Sequence, residues 1–364
     1  MLILKQFVSI PQNTLLKATF FLLNGIFLAS LLIDSDILLH IIIGGSLLAI
    51  TLITYWIKRN YLLLMLFAFL VGYTSYSFHF YQLDSFTVPK ALTAKIQVAE
   101  VVQTGNYHWP YRITGKALIN NPFSFFIFTQ KKPAFSAGDI IFCKDLLIKK
   151  SNNKSFRNYL YKQAIVGTAF KFQCCPERII KKFSINSWLD FHKERIFNGI
   201  KKKMSSGAFA FFSSLFMGDK NRVKQTIEKY KTSFQTWGIS HHLARSGLHL
   251  VLFVLVWHLL ISLLPLHFSV KTLCLTFLCC VYYLLTPPSI SFVRAFLLFL
   301  LYKFCNLFDL QVNAIHLICF VSCIVLLSNP FQLFFLDFQL SFFLTFCLAW
   351  LSYLDRKKRT STFF

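Results

Sequence analysis

The fold is decided by residues 238–250, which read GISHHLARSGLHL. This segment joins a Lys-rich stretch with helical spacing to a long apolar stretch, so its polar side chains stand where the chain would enter a membrane. Irregular polar backbone is tolerated at membrane depth only where it is buried in protein or lines a wet cavity. The segment therefore predicts a pore or a site rather than a simple anchor.

The composition of the whole chain favours a membrane location. Hydrophobic residues make up 55% of the 364 residues, 44 residues are Phe, and the mean hydropathy is +0.56. Such a chain is too apolar for one soluble core of this length. The net charge is +24, and residues 86–205 alone hold 21 basic and 6 acidic residues. This excess indicates either a polyanionic partner, such as nucleic acid or acidic lipid, or an AT-rich coding bias.

Eight hydrophobic stretches predict membrane-spanning helices, which need about 20 apolar residues. Three open the chain and five follow residue 242, and the basic turn at Lys58-Arg59 is predicted to be cytoplasmic. Both termini are then cytoplasmic, and residues 86–205 are extracytoplasmic. The predicted spans are Leu15–Ile33, Ile37–Ile57, Tyr61–Tyr81, Leu243–Leu264, Val270–Leu285, Ile290–Phe308, Val312–Leu327 and Phe331–Leu354.

Residues 86–180 contain short alternating apolar runs that are separated by Gly, Pro and Asn. This spacing predicts a small extracytoplasmic β-barrel or sandwich, for which an OB-like barrel is one candidate. A short helix and a last strand are predicted from Asn158 to Phe172. Outside the cytoplasm, Cys143 could form a disulfide with Cys174 or Cys175, and the alternative is three free thiols.

Residues 181–237 are read as a basic linker followed by an interfacial helix. A linker helix over residues 186–205 ends in three lysines, and the apolar stretch Gly207–Gly218 follows it. From Asp219 to Thr236 the apolar positions recur at steps of three and four, which predicts an amphipathic helix lying on membrane lipid. Packing on a soluble domain is the alternative. The residues assigned to this helix's cap and polar face are Asp219, Lys220, Lys224 and Lys231.

Ionisable residues inside spanning segments are costly and mark function by default. Arg294 follows a break at Pro287-Pro288, and Asp337 stands in an aromatic run. These two residues could pair, because an unpaired charge at membrane depth is expensive. The alternatives are an arginine that snorkels to the interface and an aspartate at the extracytoplasmic edge.

Two enzymatic readings of residues 238–250 were weighed against a polar path. Three histidines invite a metal, but no nearby carboxylate or cysteine completes a ligand set. A Ser246 nucleophile with His249 as base lacks an orienting acid. The sequence therefore predicts no metal, no cofactor and no catalytic residue here, but hydrogen-bonding groups that line a path or pack helices.

Four ordered motifs together resemble the ComEC/Rec2 family of competence proteins. The strongest is Leu215–Lys220 followed by Phe234–Gly238 and then by His242–His249, which is similar to the family's H-L-L-A-I-S-G-L-H. Arg245 departs from this pattern, because the family has an apolar residue there. The other three motifs are Tyr159–Gly167, Leu285–Ala295 with its R-A pair, and Asn329–Phe342 with its D-x-x-F-Q-L-S-F pattern.

The resemblance implies a channel component that imports single-stranded DNA across the cytoplasmic membrane during transformation. It implies a DNA receptor outside the membrane and a helicase or translocase inside as partners, and a homo-oligomer is an open alternative. The chain carries no H-x-H-x-D-H pattern of the metallo-β-lactamase-like domain found in longer members, so a short form without nuclease activity is expected. The residues implied for the DNA path are His242, Arg245, Ser246, Gly247, His249, Arg294, Asp337 and Gln339.

In the β domain, single-stranded DNA could be held by phosphate contacts and by aromatic stacking. The basic candidates are Arg112, Lys131 and Lys132. The aromatic candidates are Tyr107, Trp109 and Tyr111 beside Arg112, and Phe123–Phe128 beside the two lysines. The alternative is that most of these aromatic rings are core.

The predicted fold is an α-helical polytopic membrane protein with a small extracytoplasmic all-β (OB-like) domain inserted after the third helix. A metal-dependent membrane hydrolase, a small-solute transporter and a non-functional truncated remnant are the rival functions. The predicted parts are three helices over 1–85, the basic β domain over 86–180, linker and interfacial helices over 181–237, a competence-type bundle over 238–354, and a basic cytoplasmic tail over 355–364.

Overall fold

The computed structural model of the protein divides the chain into two compact units. The helical unit comprises Met1–Tyr81, Arg245–Leu284 and Pro288–Phe364, and the β-containing unit comprises Gln82–Ala244 and Leu285–Pro287. The structure describes residues 12–32, 40–42, 44–48, 50–51, 61–86, 92–103, 108–119, 122–131, 133, 135, 138–170, 180–181, 185–218, 236, 247–286, 289–310 and 312–361.

Helices dominate both ends of the described chain, and six strands lie between them. A π-helical turn, Ser213–Met217, extends one helix, and a 3-10 turn, Pro330–Phe334, precedes the last helix. The elements are α1 Gln12–Leu32, α2 Tyr61–Asp84, β1 Leu92–Gln103, β2 Tyr111–Ala117, β3 Ser124–Thr129, β4 Asp139–Leu146, α3 Lys154–Lys162, β5 Ile165–Ala169, β6 Ile180–Lys181, α4 Ile185–Lys203, α5 Ser206–Phe212, α6 Gly247–Ser262, α7 Phe268–Leu285, α8 Ile290–Leu307, α9 Ala314–Ser328 and α10 Leu336–Ser361.

Five of the described helices are long and apolar enough to cross a membrane, which confirms the polytopic helical fold. Three apolar helices are shorter, and two of them, α6 and α9, stand where spans were predicted. Much of the predicted span Ile37–Ile57 lies outside the described residues, and positions 40–42, 44–48 and 50–51 are helical. The five long helices are Thr14–Leu32, Leu63–Asp84, Phe268–Leu285, Ile290–Leu307 and Leu336–Asp355.

The span predicted over Phe331–Leu354 is present, but its helix begins later, at Leu336. Pro330 stands at the start of the 3-10 turn, and Phe335 then adopts extended backbone with φ −110° and ψ 135°. A proline fits a first helical position but offers no N–H, so the chain restarts after it instead of continuing α9. Helix α10 then runs on to Ser361, so most of the predicted tail is a continuation of the same helix.

Helices α1 and α2 approach each other at two glycines. A Cβ added at Gly25 would lie 2.0 Å from the carbonyl oxygen of Phe69, and one added at Gly72 would lie 2.3 Å from that of Leu22. Small residues allow membrane helices to pack backbone against backbone, where dispersion and weak hydrogen bonds replace the missing hydrophobic driving force. Each glycine therefore makes room for the other helix.

A second contact set surrounds the 3-10 turn and α9. The ring of Tyr76 on α2 lies 5.2 Å from that of Phe331 and 5.9 Å from that of Phe334. On α1, the Thr19 hydroxyl lies 3.8 Å from the Cys323 sulfur of α9. The N-terminal helices and the C-terminal helices therefore form one helical unit.

The sheet of the β-containing unit has the order β5-β3-β2-β1-β4-β6. All neighbouring strands are antiparallel except β3 and β5, because the chain passes through α3 before β5 returns beside β3. Beyond β4, Lys149 and Thr168 exchange two backbone hydrogen bonds of 2.9 Å each. This bridge brings the end of β4 beside β5 and closes the sheet into a ring.

The interior of this ring is apolar and tightly packed. Its inward positions alternate along the strands, as expected for strands with one buried face. Gly167 permits the closure, because an added Cβ would lie 2.9 Å from the Lys149 carbonyl oxygen. The core residues include Ile96, Val98, Ile113, Phe125, Ile127, Ile141 and Val166.

The helix α3 and the end of α2 complete the β-containing unit. Asn153 caps α3, since its side-chain oxygen accepts from the amides of Ser155 and Phe156 at 3.0 and 3.2 Å. Asp84 accepts a 2.7 Å hydrogen bond from the Tyr161 hydroxyl, and Phe86 packs 4.4 Å from the Phe123 ring. The short helix predicted from Asn158 is present, but it begins earlier, at Lys154.

Candidate functional site

Two sequence motifs that lie far apart in the chain meet where α6 contacts α8. A Cβ added at Gly247 would lie 3.1 Å from the Ala295 Cβ and 3.5 Å from the Ser291 carbonyl oxygen. His249, two residues into α6, is 9% exposed, and its neighbour Leu250 joins the core formed with α7 and α8. Gly247 and Leu250, at the start of α6, therefore pack against the helix that carries Arg294.

Arg294 is held by α10. Its Nη1 donates a hydrogen bond to the Thr345 hydroxyl, which in turn donates at 2.7 Å to the Ser341 carbonyl oxygen. The guanidinium carbon also lies 5.8 Å from the centroid of the Phe342 ring. In the part of the chain that the structure describes, Arg294 forms no ion pair with a carboxylate. The described contacts of the guanidinium are thus one uncharged hydrogen-bond acceptor and one aromatic ring.

The predicted pairing of Arg294 with Asp337 is wrong. Asp337 is exposed in the first turn of α10, eight residues before Thr345, which is about 12 Å along a helix. An acidic side chain in a first turn is favoured by the positive end of the helix dipole. The dipole of α10 therefore explains why an aspartate is favourable at position 337 without any contact with Arg294.

Gln339 has a local structural role. Its Nε2 donates a 2.9 Å hydrogen bond to the Leu333 carbonyl oxygen. That carbonyl belongs to the 3-10 turn, so the contact ties the turn to the start of α10. A contact of Gln339 with DNA stays a prediction.

Several buried polar atoms of the helical unit have no hydrogen-bond partner within the described chain. They include Arg294 Nε on α8, Ser341 Oγ on α10 and His316 Nε2 on α9. Buried polar groups are normally paired, so each exception needs an explanation. Ser341 lies one helical turn before Thr345, the residue that accepts from Arg294.

In the β-containing unit, Arg112 is half-buried rather than free on a surface. Its guanidinium carbon lies 4.5 Å from the centroid of Phe126, and its Nη1 donates to the Tyr159 hydroxyl at 3.3 Å. Lys131 is exposed. Of the aromatic candidates, Phe123, Phe125 and Phe126 are buried, so only Phe128 of that run reaches the surface.

An aromatic row lies on the outer face of the sheet beside Arg112. Phe170 stacks on Phe128 at 5.3 Å and contacts Trp109 edge-on at 5.7 Å. Phe170 is 43% exposed. Its place in this row follows from the parallel pairing of β3 with β5, where Phe126 stands opposite Thr168. The sequence reasoning missed Phe170, because a non-local strand pairing brings it next to Phe128.

Several predicted residues lie outside the described chain. Cys143 is buried in the β core, but both of its predicted partners fall outside, so the disulfide stays a prediction. Within the described ranges, no three His, Cys, Asp or Glu side chains are grouped as a metal site. The predicted residues that lie outside are His242, Arg245, Ser246, Asp219, Lys220, Lys224, Lys231, Lys132, Cys174 and Cys175, together with the aromatic candidate Tyr107.

Comparison with known proteins identifies the helical region. Residues 215–362, which include α6 to α10, match the family model described as "Competence protein". This match confirms the resemblance drawn from the motifs, and with the five apolar helices it makes the chain a membrane protein.

The chain is also similar in sequence to a curated protein. The chain is 31% identical over 209 residues to ComE operon protein 3 of Bacillus subtilis (strain 168). The aligned part is 57% of this chain and 26% of that relative, so the chain spans about a quarter of the relative's length. No solved structure matches the chain.

Proposed function

We propose that this protein is a channel component that imports single-stranded DNA across the cytoplasmic membrane during natural transformation. The observation that carries the proposal is the competence match over residues 215–362, within which Gly247 of α6 packs against Ala295 of α8 in the helical unit. Cationic and hydroxyl groups at this contact suit the path of a polyanion. The path residues are His242, Arg245, Ser246, Gly247, His249 and Arg294, with Asp337 and Gln339 at its rim.

We further propose the topology and partners that this role requires. Both termini are cytoplasmic, residues 86–205 are extracytoplasmic, and the segment over 219–236 lies on membrane lipid with its lysines toward the headgroups. A DNA receptor outside and a helicase or translocase inside complete the system. A role as a metal-dependent hydrolase is not favoured by any contact among the described residues.

Removing the gene from a naturally competent host tests this function. We expect labelled DNA to bind the cell surface normally, whereas the nuclease-resistant, internalised label falls to background. Reintroducing the gene should restore internalisation. Unchanged internalisation in the deletion strain would refute the channel, and it would favour a non-functional remnant.

The β-containing unit is proposed to hold the strand through Arg112, Lys131 and Lys132 and through the aromatic row of Trp109, Phe128 and Phe170. Bases stack on aromatic rings irrespective of sequence, and the net charge of the region attracts phosphates. Only an unpaired strand exposes base faces for this purpose. The surface is therefore expected to prefer single-stranded over duplex DNA.

Phe170→Ala and Trp109→Ala should each weaken binding of a single-stranded oligonucleotide to the purified full chain in nanodiscs by about tenfold, within the ~1–3 kcal/mol that base stacking contributes. Fluorescence anisotropy of a labelled oligonucleotide measures the change. Leu147→Ala is the matched control, because Leu147 is 48% exposed in the same unit but carries no ring. Equal losses for the control, or for duplex DNA, would contradict the stacking role.

A further inference from the structure

Helices α8 and α10 carry hydrogen-bonding groups that no described residue pairs. Arg294 donates through Nη1 to Thr345, but its buried Nε has no partner among the described residues. The buried Ser341 Oγ, one helical turn before Thr345, has none in the described part of the chain either. An N–H and an O–H can both donate to a single oxyanion. Both unpaired groups are therefore of the kind that an anion requires.

Thr345, unlike Ser341, has no hydroxyl proton available to donate to an anion. A threonine hydroxyl has one proton, and Thr345 donates it to the Ser341 carbonyl oxygen at 2.7 Å. Its oxygen accepts from Arg294, so no donor is left for an anion. Thr345 therefore competes with an anion for the guanidinium rather than helping to bind it.

Arg294 also lies between two helix contacts. Ser291 and Ala295 of α8 face Gly247 of α6, and at 100° per residue Arg294 is displaced by about 60° around the helix from Ser291. Thr345 and Phe342 approach it from α10. The arginine thus lies on α8 between the contact of this helix with Gly247 of α6 and its contact with α10.

We propose that Arg294 and Ser341 form a binding site for a phosphodiester anion within the helical unit, and that Thr345 holds the guanidinium when the anion is absent. Binding exchanges the hydrogen bond from Arg294 to the uncharged Thr345 hydroxyl for bonds in which both the guanidinium and the phosphate are charged, and it satisfies Nε and Ser341 Oγ. The inference rests on the proposed function, since it names one contact on the DNA path.

Dimethyl phosphate, the simplest phosphodiester, is the probe. A ligand that binds only the folded protein raises its melting temperature. We expect dimethyl phosphate to stabilise the purified full chain in nanodiscs, at constant ionic strength, relative to chloride. Arg294→Gln should abolish this stabilisation and Ser341→Ala should weaken it, whereas Lys303→Gln, which removes a cation from the same helix, should leave it unchanged.

The Thr345 variants distinguish this site from a structural role. Thr345→Val removes the competing acceptor, so we expect dimethyl phosphate to bind about tenfold more tightly, since a hydrogen bond to a charged group contributes ~1.5 kcal/mol or more. Thr345→Ser keeps the hydroxyl and should behave as wild type. Weaker binding in Thr345→Val, or equal stabilisation in Arg294→Gln, would overturn the proposal.

Separate measurements report the anion site and the transport function. DNA internalisation by cells carrying Arg294→Gln or Thr345→Val reports the function, whereas the melting temperature with dimethyl phosphate reports the site alone. An anion effect with normal uptake in Arg294→Gln would leave the site standing and remove it from the DNA path. No anion effect in wild type would overturn the site, even where gene removal abolishes uptake.

Discussion

Gly25→Ala is expected to disrupt the packing of α1 against α2. The new Cβ would stand 2.0 Å from the Phe69 carbonyl oxygen and 2.9 Å from its carbon. Backbone atoms inside a helix cannot move aside as a flexible side chain does, so the two helices must separate. We expect a loss of stability above the ~3 kcal/mol that ordinarily bounds overpacking. Thermal unfolding of the purified protein in detergent measures it.

Gly45→Ala provides the control for this change. A Cβ at Gly45 meets nothing within 4 Å, and the residue lies in described helical backbone of the same unit. Replacing a helical glycine by alanine there should be neutral or stabilising by ~0.5–1 kcal/mol. Gly72→Ala, which meets the Leu22 carbonyl oxygen at 2.3 Å, should resemble Gly25→Ala. A Gly25→Ala protein as stable as the Gly45→Ala protein would show that the helices do not touch there.

These glycines illustrate what hydropathy can and cannot predict. The spans were predictable because apolar length alone decides whether a helix can cross a membrane. The crossing of α1 and α2 was not, because hydropathy gives no rotation of one helix relative to another. Gly25 and Gly72 are 47 positions apart, and only their mutual approach gives either a role.

The same limit explains the error at Arg294. The sequence marked Arg294 and Asp337 as charges at membrane depth, and opposite charge made pairing the natural expectation. Which residue of α10 faces α8 depends on where that helix begins, and the break at Pro330 to Phe335 sets its start. The guanidinium therefore meets Thr345, two turns beyond Asp337.

In the β domain, the sequence located the strands but did not predict how β3 and β5 pair. Alternating runs and turn residues located its strands, because a half-buried strand imposes a period of two. Strands β3 and β5 pair in parallel, and α3 lies between them in the chain. No local sequence pattern therefore predicts their pairing. Phe170 belongs to the aromatic row only through that pairing.

The largest functional effect is expected at Gly247, where the Ser-Gly-Leu-His segment meets α8. Gly247→Leu would drive a branched side chain into Ala295, whose Cβ lies 3.1 Å from the position of the new Cβ. Overpacking of this kind costs ~1–3 kcal/mol. We expect this cost to fall on the state that conducts DNA. Internalisation should then fall about 5-fold for a cost of one kcal/mol and about 30-fold for two, while surface binding of DNA persists. Nuclease-resistant uptake of labelled DNA measures it.

A compensating pair shows whether this contact is the cause. Gly247→Ala adds only the Cβ and should reduce uptake less than Gly247→Leu, since a few tenths of an ångström of movement accommodate it. Ala295→Gly removes the opposing methyl, so the double variant Gly247→Ala with Ala295→Gly should recover most of the loss. Residues in contact show such coupling, whereas independent sites add. A double variant no better than Gly247→Ala alone would mean that Gly247 acts through something other than its contact with α8. Recovery would instead establish that the close approach of the two motifs is what DNA uptake requires.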